Sequence, residues 1–171
     1  MRAANGEEAV EAQKLQFCSF RISGRRFGVD VLDVKEINSE VDFTPIFHTP
    51  KEIKGYVNIR GQIYLLLDLR LMLGFDSKKV DELSRVVLFK PEVGDPFGVL
   101  VDSIDDIETV DENQIENRRK EDRELPEGVE RRVIDIGSGV CKLEDELLII
   151  TNSRKILNII GNLKAGSRES I

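Results

Sequence analysis

Two stretches of this chain carry the same apolar pattern, and that duplication limits the available architectures more than any other feature of the sequence. Phe27-Gly28-Val29-Asp30-Val31-Leu32-Asp33-Val34-Lys35-Glu36-Ile37 lies against Phe97-Gly98-Val99-Leu100-Val101-Asp102-Ser103-Ile104-Asp105-Asp106-Ile107, at an offset of 70 residues and with the same Phe-Gly-Val start. Further on, Gly55 to Ile63 and the residues through Leu73 lie against Gly139 to Leu147 and the residues through Leu157, at an offset of 84. Two copies of one pattern imply two similar lobes about a rough twofold axis, with a seam between them that is a natural docking groove. The difference, 84 − 70 = 14 residues, measures an insertion. Its core, Arg118 to Gly128, mixes charges with almost no apolar content, so an exposed, mobile loop is expected.

Within each copy the hydrophobic period is that of strands. Phe17, Ser19 and Arg21 alternate with Cys18, Phe20 and Ile22 up to the turn signal Ser23-Gly24, and a hairpin then leads into Phe27 to Val31. Further strands are expected at Val57 to Ile59, Ile63 to Leu67, Val86 to Phe89, Phe97 to Val101, Ile104 to Glu108, Val140 to Leu143 and Leu147 to Thr151. Short strands between Gly, Asp and Pro turns point to barrels or sandwiches, not βαβ units. Two helices are expected, one capped by Asp68 and running through Leu73, the other capped by Asn152 or Ser153 and ending at Ile160 before Gly161.

At 171 residues the chain is long enough for one domain, or for two small lobes sharing a core. Lys and Arg total 25 against 32 Asp and Glu, a net charge of −7 that opposes the phosphate neutralisation behind nucleic-acid binding. The longest apolar run, Ile63 to Leu67, is far too short to cross a bilayer, so a cytoplasmic protein without direct membrane insertion is expected. The two cysteines, Cys18 and Cys141, lack metal spacing and read as buried thiols.

Catalytic patterns are weak. His48, the single histidine, sits between Pro45 and Pro50 in an extended loop, and no nucleophile elbow, phosphate loop or dinucleotide-binding glycine pattern occurs. Asp102, Asp105 and Asp106 read best as solvated charges that guard a sheet edge. No enzyme activity and no cofactor or metal is expected.

The run Ile53 to Arg70 contains Lys54-Gly55, then Asn58-Ile59-Arg60-Gly61, then an apolar strand ending Asp68-Leu69-Arg70. It resembles the signature of the CheW-like chemotaxis coupling, or adaptor, proteins, with Ile59 in place of the usual leucine. Phe27 to Asp30 with Val34 to Ile37 upstream, and Val99 to Ile107 and Cys141 to Leu157 downstream, extend the resemblance over roughly 15–157. Asn152-Ser153 stands where the family commonly has an Asp, and the charged 118–132 region replaces a shorter, less charged segment.

The resemblance implies an all-β fold with short helices: two intertwined five-stranded SH3-like barrels sharing a core. Residues 1–14 would form a flexible N-terminal segment, 15–162 the CheW-like domain, and 163–171 a flexible tail. The first lobe would span about 15–83 and the second about 84–162, with strands exchanged between them. It implies a non-catalytic adaptor that couples methyl-accepting chemoreceptors to the histidine kinase CheA, recruited to membrane-associated receptor arrays. The groove between the barrels would take the receptor's cytoplasmic tip, a helical hairpin, and another surface the kinase's regulatory domain. The family's receptor-coupling positions fall on Val34, Glu36, Gly55 and Arg60, its signature and structural positions on Asn58, Gly61 and Asp68, and kinase contacts on Val41, Phe43 and Ile46. Val34 and Glu36, two places apart on one strand, are expected on one face, with Glu36 ion-paired to Arg60. Alternatives are an adaptor of a non-flagellar chemosensory pathway, a form fused to a receiver or kinase, and, in another class, a small-barrel nucleic-acid-binding protein. The last needs a basic, aromatic face that a pI of about 4.9 disfavours.

Overall fold

A computed structural model describes residues 13–116 and 136–169, with the side chains of 166–169 excepted. The N-terminal residues 1–12 and the whole of the charged 118–132 stretch lie outside the described residues. Among the described residues twelve strands form two sheets of six. In chain order they are β1 (Lys14–Ile22), β2 (Arg25–Asp30), β3 (Val34–Asn38), β4 (Thr44–Pro45), β5 (Ile53–Ile59), β6 (Gln62–Asp68), β7 (Arg85–Phe89), β8 (Phe97–Val101), β9 (Ser103–Asp111), β10 (Ile115–Glu116), β11 (Gly137–Lys142) and β12 (Leu147–Thr151). Helix α1 (Leu69–Met72) follows β6, and α2 (Ser153–Glu169) follows β12.

The first lobe's sheet runs β3-β7-β8-β6-β5-β4 and the second's β9-β1-β2-β12-β11-β10. Replacing each strand of one sheet by its repeat counterpart generates the other, with β1 and β2 standing in the second lobe and β7 and β8 in the first. The register repeats as well. Leu65 pairs with Phe97 and Leu66 with Gly98 across the parallel β6–β8 contact, as Ile149 pairs with Phe27 and Ile150 with Gly28 across β12–β2. Bulges recur too: the ladder slips between Val34 and Glu36 as it does between Cys18 and Phe20 opposite β9, and between Ile53 and Gly55 as between Gly137 and Gly139.

The mostly β fold agrees with the sequence expectation, but each ladder has six strands where five were expected, and neither closes on itself. The additional strands, β4 and β10, are two residues long and leave no alternation to read.

Elementary chemistry accounts for the elements. The hairpins β1–β2 and β5–β6 turn on two residues each, Ser23-Gly24 (φ 52° and 77°) and Arg60-Gly61 (φ 51° and 82°). Two positive φ values in a two-residue loop match the right-handed twist of the strands. The carboxylate of Asp68 accepts the Leu71 N–H at the start of α1, and the Asn152 side chain accepts the Lys155 N–H, 84 residues on, at the start of α2. Helix α1 stops within a turn at Gly74 (φ 86°), whereas α2 runs past Gly161, where the sequence places its end. Ile156 and Ile160 are buried there, and Ile159 and Leu163 pack against the same core, so an apolar stripe carries the helix through the glycine.

One apolar cluster is shared by both lobes and includes Phe20, Phe27, Val29, Leu67, Phe89, Phe97, Val99 and Ile149. The Phe20–Phe27 rings lie 6.1 Å apart and stacked, and their counterparts Phe89–Phe97 lie 4.7 Å apart and stacked. Each lobe also has its own interior: Val57, Tyr64, Leu66, Val86 and Leu88 in the first, Phe17, Cys141, Leu148 and Ile150 in the second. Gly28 and Gly98 stand where these layers meet. A Cβ on Gly98 would lie 2.8 Å from Leu88 Cδ2 and 3.0 Å from the Val87 carbonyl oxygen; on Gly28 it would lie 3.1 Å from Leu148 Cδ1 and from Phe17 Cβ.

Candidate interaction site at the mouth of the first lobe

Strand β3 lies at one end of the first lobe's sheet and the β5–β6 hairpin near the other, so no ladder joins them. Side chains do. A guanidinium nitrogen of Arg60 donates to a carboxylate oxygen of Glu36, and Lys35 Nζ donates to the Tyr64 hydroxyl at 2.8 Å, lying 5.5 Å from the centre of that ring. Arg60 is 73% exposed and Glu36 22%, which places the ion pair at a rim. The expected Glu36–Arg60 pairing is therefore present, with Arg60 held in the turn by its own positive φ and by the Gly61 N–H donating to Asn58 Oδ1 at 3.0 Å. Asn58 and Gly61 thus have a turn-forming role. Asp68, buried, caps α1 and is 3.3 Å from Lys54 Nζ, which ties two signature residues together.

The expectation that Val34 and Glu36 share a face is not met. Val34 stands opposite Phe89 and packs on the shared core, whereas Glu36 stands opposite Leu88, which belongs to the first lobe's interior. Facing partners share a side of the sheet and neighbouring residues do not, so the extra residue of the bulge turns Glu36 to the other side. Gly55 has a steric reason of its own, because a Cβ there would lie 2.0 Å from the Thr44 carbonyl oxygen. It sits near the start of β5, away from the Arg60 turn.

Val41 and Phe43 pack partly buried on the first lobe's interior, and Ile46 on the shared core. The exposed apolar residue of that loop is Phe47, 82% exposed, which sequence reasoning passed over. His48 beside it is exposed, with φ 61°. A concavity of about 420 Å³ between the first lobe's sheet and α2 is lined by Tyr56, Ile63, Leu65, Phe97 and Leu157, together with residues around them, and none of the four receptor-coupling positions lines it.

The aspartates expected to be solvated edge charges are mostly partnered. Arg21 Nε is 2.6 Å from Asp105, and its terminal nitrogens bind Glu146 at 2.6 and 2.7 Å. Arg26 is 2.5 Å from Glu108 and 3.2 Å from the buried Ser19 hydroxyl, which itself donates to the Asp106 carbonyl oxygen. Asp102 binds Arg70 at 2.7 Å. The hydrogen bonds from Arg21 hold the Glu146 carboxyl below the usual glutamate range and raise the Arg21 guanidinium. Cys18 and Cys141 are buried free thiols, pushed up mainly by burial. Among the described residues no group of three His, Cys, Asp or Glu is placed to hold a metal ion, and no helix is long and apolar enough to cross a membrane.

Exchanged strands, a shared core and rims tied by side chains define a two-lobed β domain. The model of the CheW-like domain matches residues 16–160, and the chain belongs to that family. It is 29% identical over 152 residues to the chemotaxis protein CheW of Klebsiella aerogenes, covering 88% of this chain and 86% of that one. It is 30% identical over 135 residues to a probable chemotaxis protein CheW of Rhizobium etli, covering 78% and 86%. The scaffolding protein TtCheW of Thermoanaerobacter tengcongensis superposes with a TM-score of 0.69 at 27% identity, over 81% of this chain and 89% of that one.

Proposed function

We propose that this protein is a non-catalytic chemotaxis adaptor that couples the cytoplasmic tips of methyl-accepting chemoreceptors to the regulatory domain of the histidine kinase CheA, in the cytoplasm at membrane-associated arrays. The observation that carries the reading is the Glu36–Arg60 pair, which joins two segments of the family signature at an exposed rim. A surface pair contributes only about 0–1 kcal/mol to stability, so its main effect is to orient Arg60, whose remaining donors face outward to a partner. Glu36 and Arg60 form the exposed receptor side in this reading, with Val34 supporting it from the shared core and Gly55 from the start of β5. The loop carrying Val41, Phe43 and Ile46 forms the kinase side, with Phe47 as its exposed contact.

The test is a double-mutant cycle, Glu36→Arg, Arg60→Glu and the swap, with binding measured to a receptor-tip fragment and to the kinase regulatory domain. Each single change is expected to weaken receptor binding several-fold and the swap to restore part of it. Phe47→Ser is expected to weaken kinase binding without shifting the thermal transition. Wild-type protein that binds neither fragment would end the proposal.

A further inference from the structure

We propose that Lys35, acting through the Tyr64 hydroxyl, is a positioning residue for the Glu36–Arg60 pair. The inference rests on the coupling function proposed above and adds the device that sets its geometry. Without the slip in register on β3, Glu36 would fall on the side of Val34 and the shared core, and Arg60 would lose its partner at the rim. A bulge leaves one residue outside the ladder, so something other than backbone pairing must fix where that residue goes. Here Lys35 is that residue. Its ammonium reaches across the lobe to Tyr64 at 2.8 Å, on the strand that leaves the Arg60-Gly61 turn. Tyr64 is itself 3% exposed and packed in the lobe interior, so the anchor is rigid.

The second lobe supplies an independent observation. At the counterpart bulge on β9 the residue equivalent to Lys35 is Asp105, and it too is pinned by side chains, those of Arg21 and Arg26. Both bulges are therefore held from the side, with opposite charge. Among the described residues, only in the first lobe does the next residue meet an arginine, and the position equivalent to Arg60 is Glu144. Lys35 thus makes the first lobe's rim the one that presents an oriented guanidinium.

The experiment uses the full chain with Lys35→Met, Lys35→Arg, Tyr64→Phe and Glu36→Arg, reading affinity for a receptor-tip fragment and the order of the Arg60 Nε–H by NMR relaxation. Lys35→Met and Tyr64→Phe are expected to loosen Arg60 and to weaken binding by about threefold to tenfold, as for loss of one oriented rim contact. Lys35→Arg, which keeps a donor within reach, is expected to restore both. Unchanged order and affinity in Lys35→Met and Tyr64→Phe, beside a clear loss in Glu36→Arg, would overturn the positioning role and leave the coupling reading standing. Full affinity in Glu36→Arg would overturn the two together.

Discussion

Lys35 on β3 and Asp105 on β9 hold the same place in the two lobes and carry opposite charge. Around them the lobes share strand order, parallel-pair register, bulges, helix caps and a stacked phenylalanine pair, yet their rims are built differently. The first lobe joins its sheet ends with one exposed ion pair and a lysine on a tyrosine. The second uses two arginines shared among three acids, with side chains 13% to 31% exposed. The duplication has kept what backbone geometry and the common core require and has let the rims diverge. The first lobe's rim leaves its paired arginine largely exposed, whereas the second's arginines are enclosed by their acids.

The largest effects should be equal in the two lobes, because the core is one. Phe27→Ala and Phe97→Ala are each expected to cost about 3–5 kcal/mol, and each variant to unfold in a single denaturant transition. Two separate transitions would mean that the lobes are independent after all. A smaller, unequal pair comes from the glycines. Gly98→Ala is expected to cost about 1–3 kcal/mol because its Cβ meets a backbone carbonyl and Leu88 at 3.0 Å or less, and Gly28→Ala less, since its nearest neighbours, Leu148 Cδ1 and Phe17 Cβ, lie at 3.1 Å and neither is backbone. Equal losses in chemical denaturation would show that the second lobe is as rigid as the first.

The smallest effect separates the rims by pH. Glu146 has its folded-state pKa depressed by Arg21, so the stability it lends is complete above the unfolded value of about 4.3 and is lost as pH falls through the lower folded value. Glu146→Gln is expected to lower stability by about 1 kcal/mol or less at neutral pH and to flatten the acid limb of the stability curve. An unchanged acid limb would remove Glu146 from the network.

Much of this was legible in the sequence because strand alternation and a duplicated pattern survive translation into structure residue for residue. The Asn58 to Gly61 turn, the Asp68 cap and the Glu36–Arg60 pairing all follow from local chemistry plus the signature. The bulge at Lys35 was not legible, since one extra residue leaves Val34-x-Glu36 looking like ordinary alternation. The arginine network escaped for a different reason: Arg21 and Glu146 are 125 positions apart, and only the strand exchange brings them together. Helix α2 outran its expected end because burial of Ile160 and packing of Leu163 outweigh the roughly 1 kcal/mol that a glycine costs in a helix.

The exchange of β1–β2 for β7–β8 has a consequence for the chain's ancestry and for its dissection. Each sheet takes two adjacent inner strands from the opposite half of the repeat, so a half-chain made alone would hold a sheet with a gap and a hairpin with nowhere to insert. Two copies of such a half could satisfy each other by trading hairpins. The present molecule is then a swapped dimer written as one polypeptide, and a cut between α1 and β7 should give two pieces that are unfolded apart and fold only on mixing.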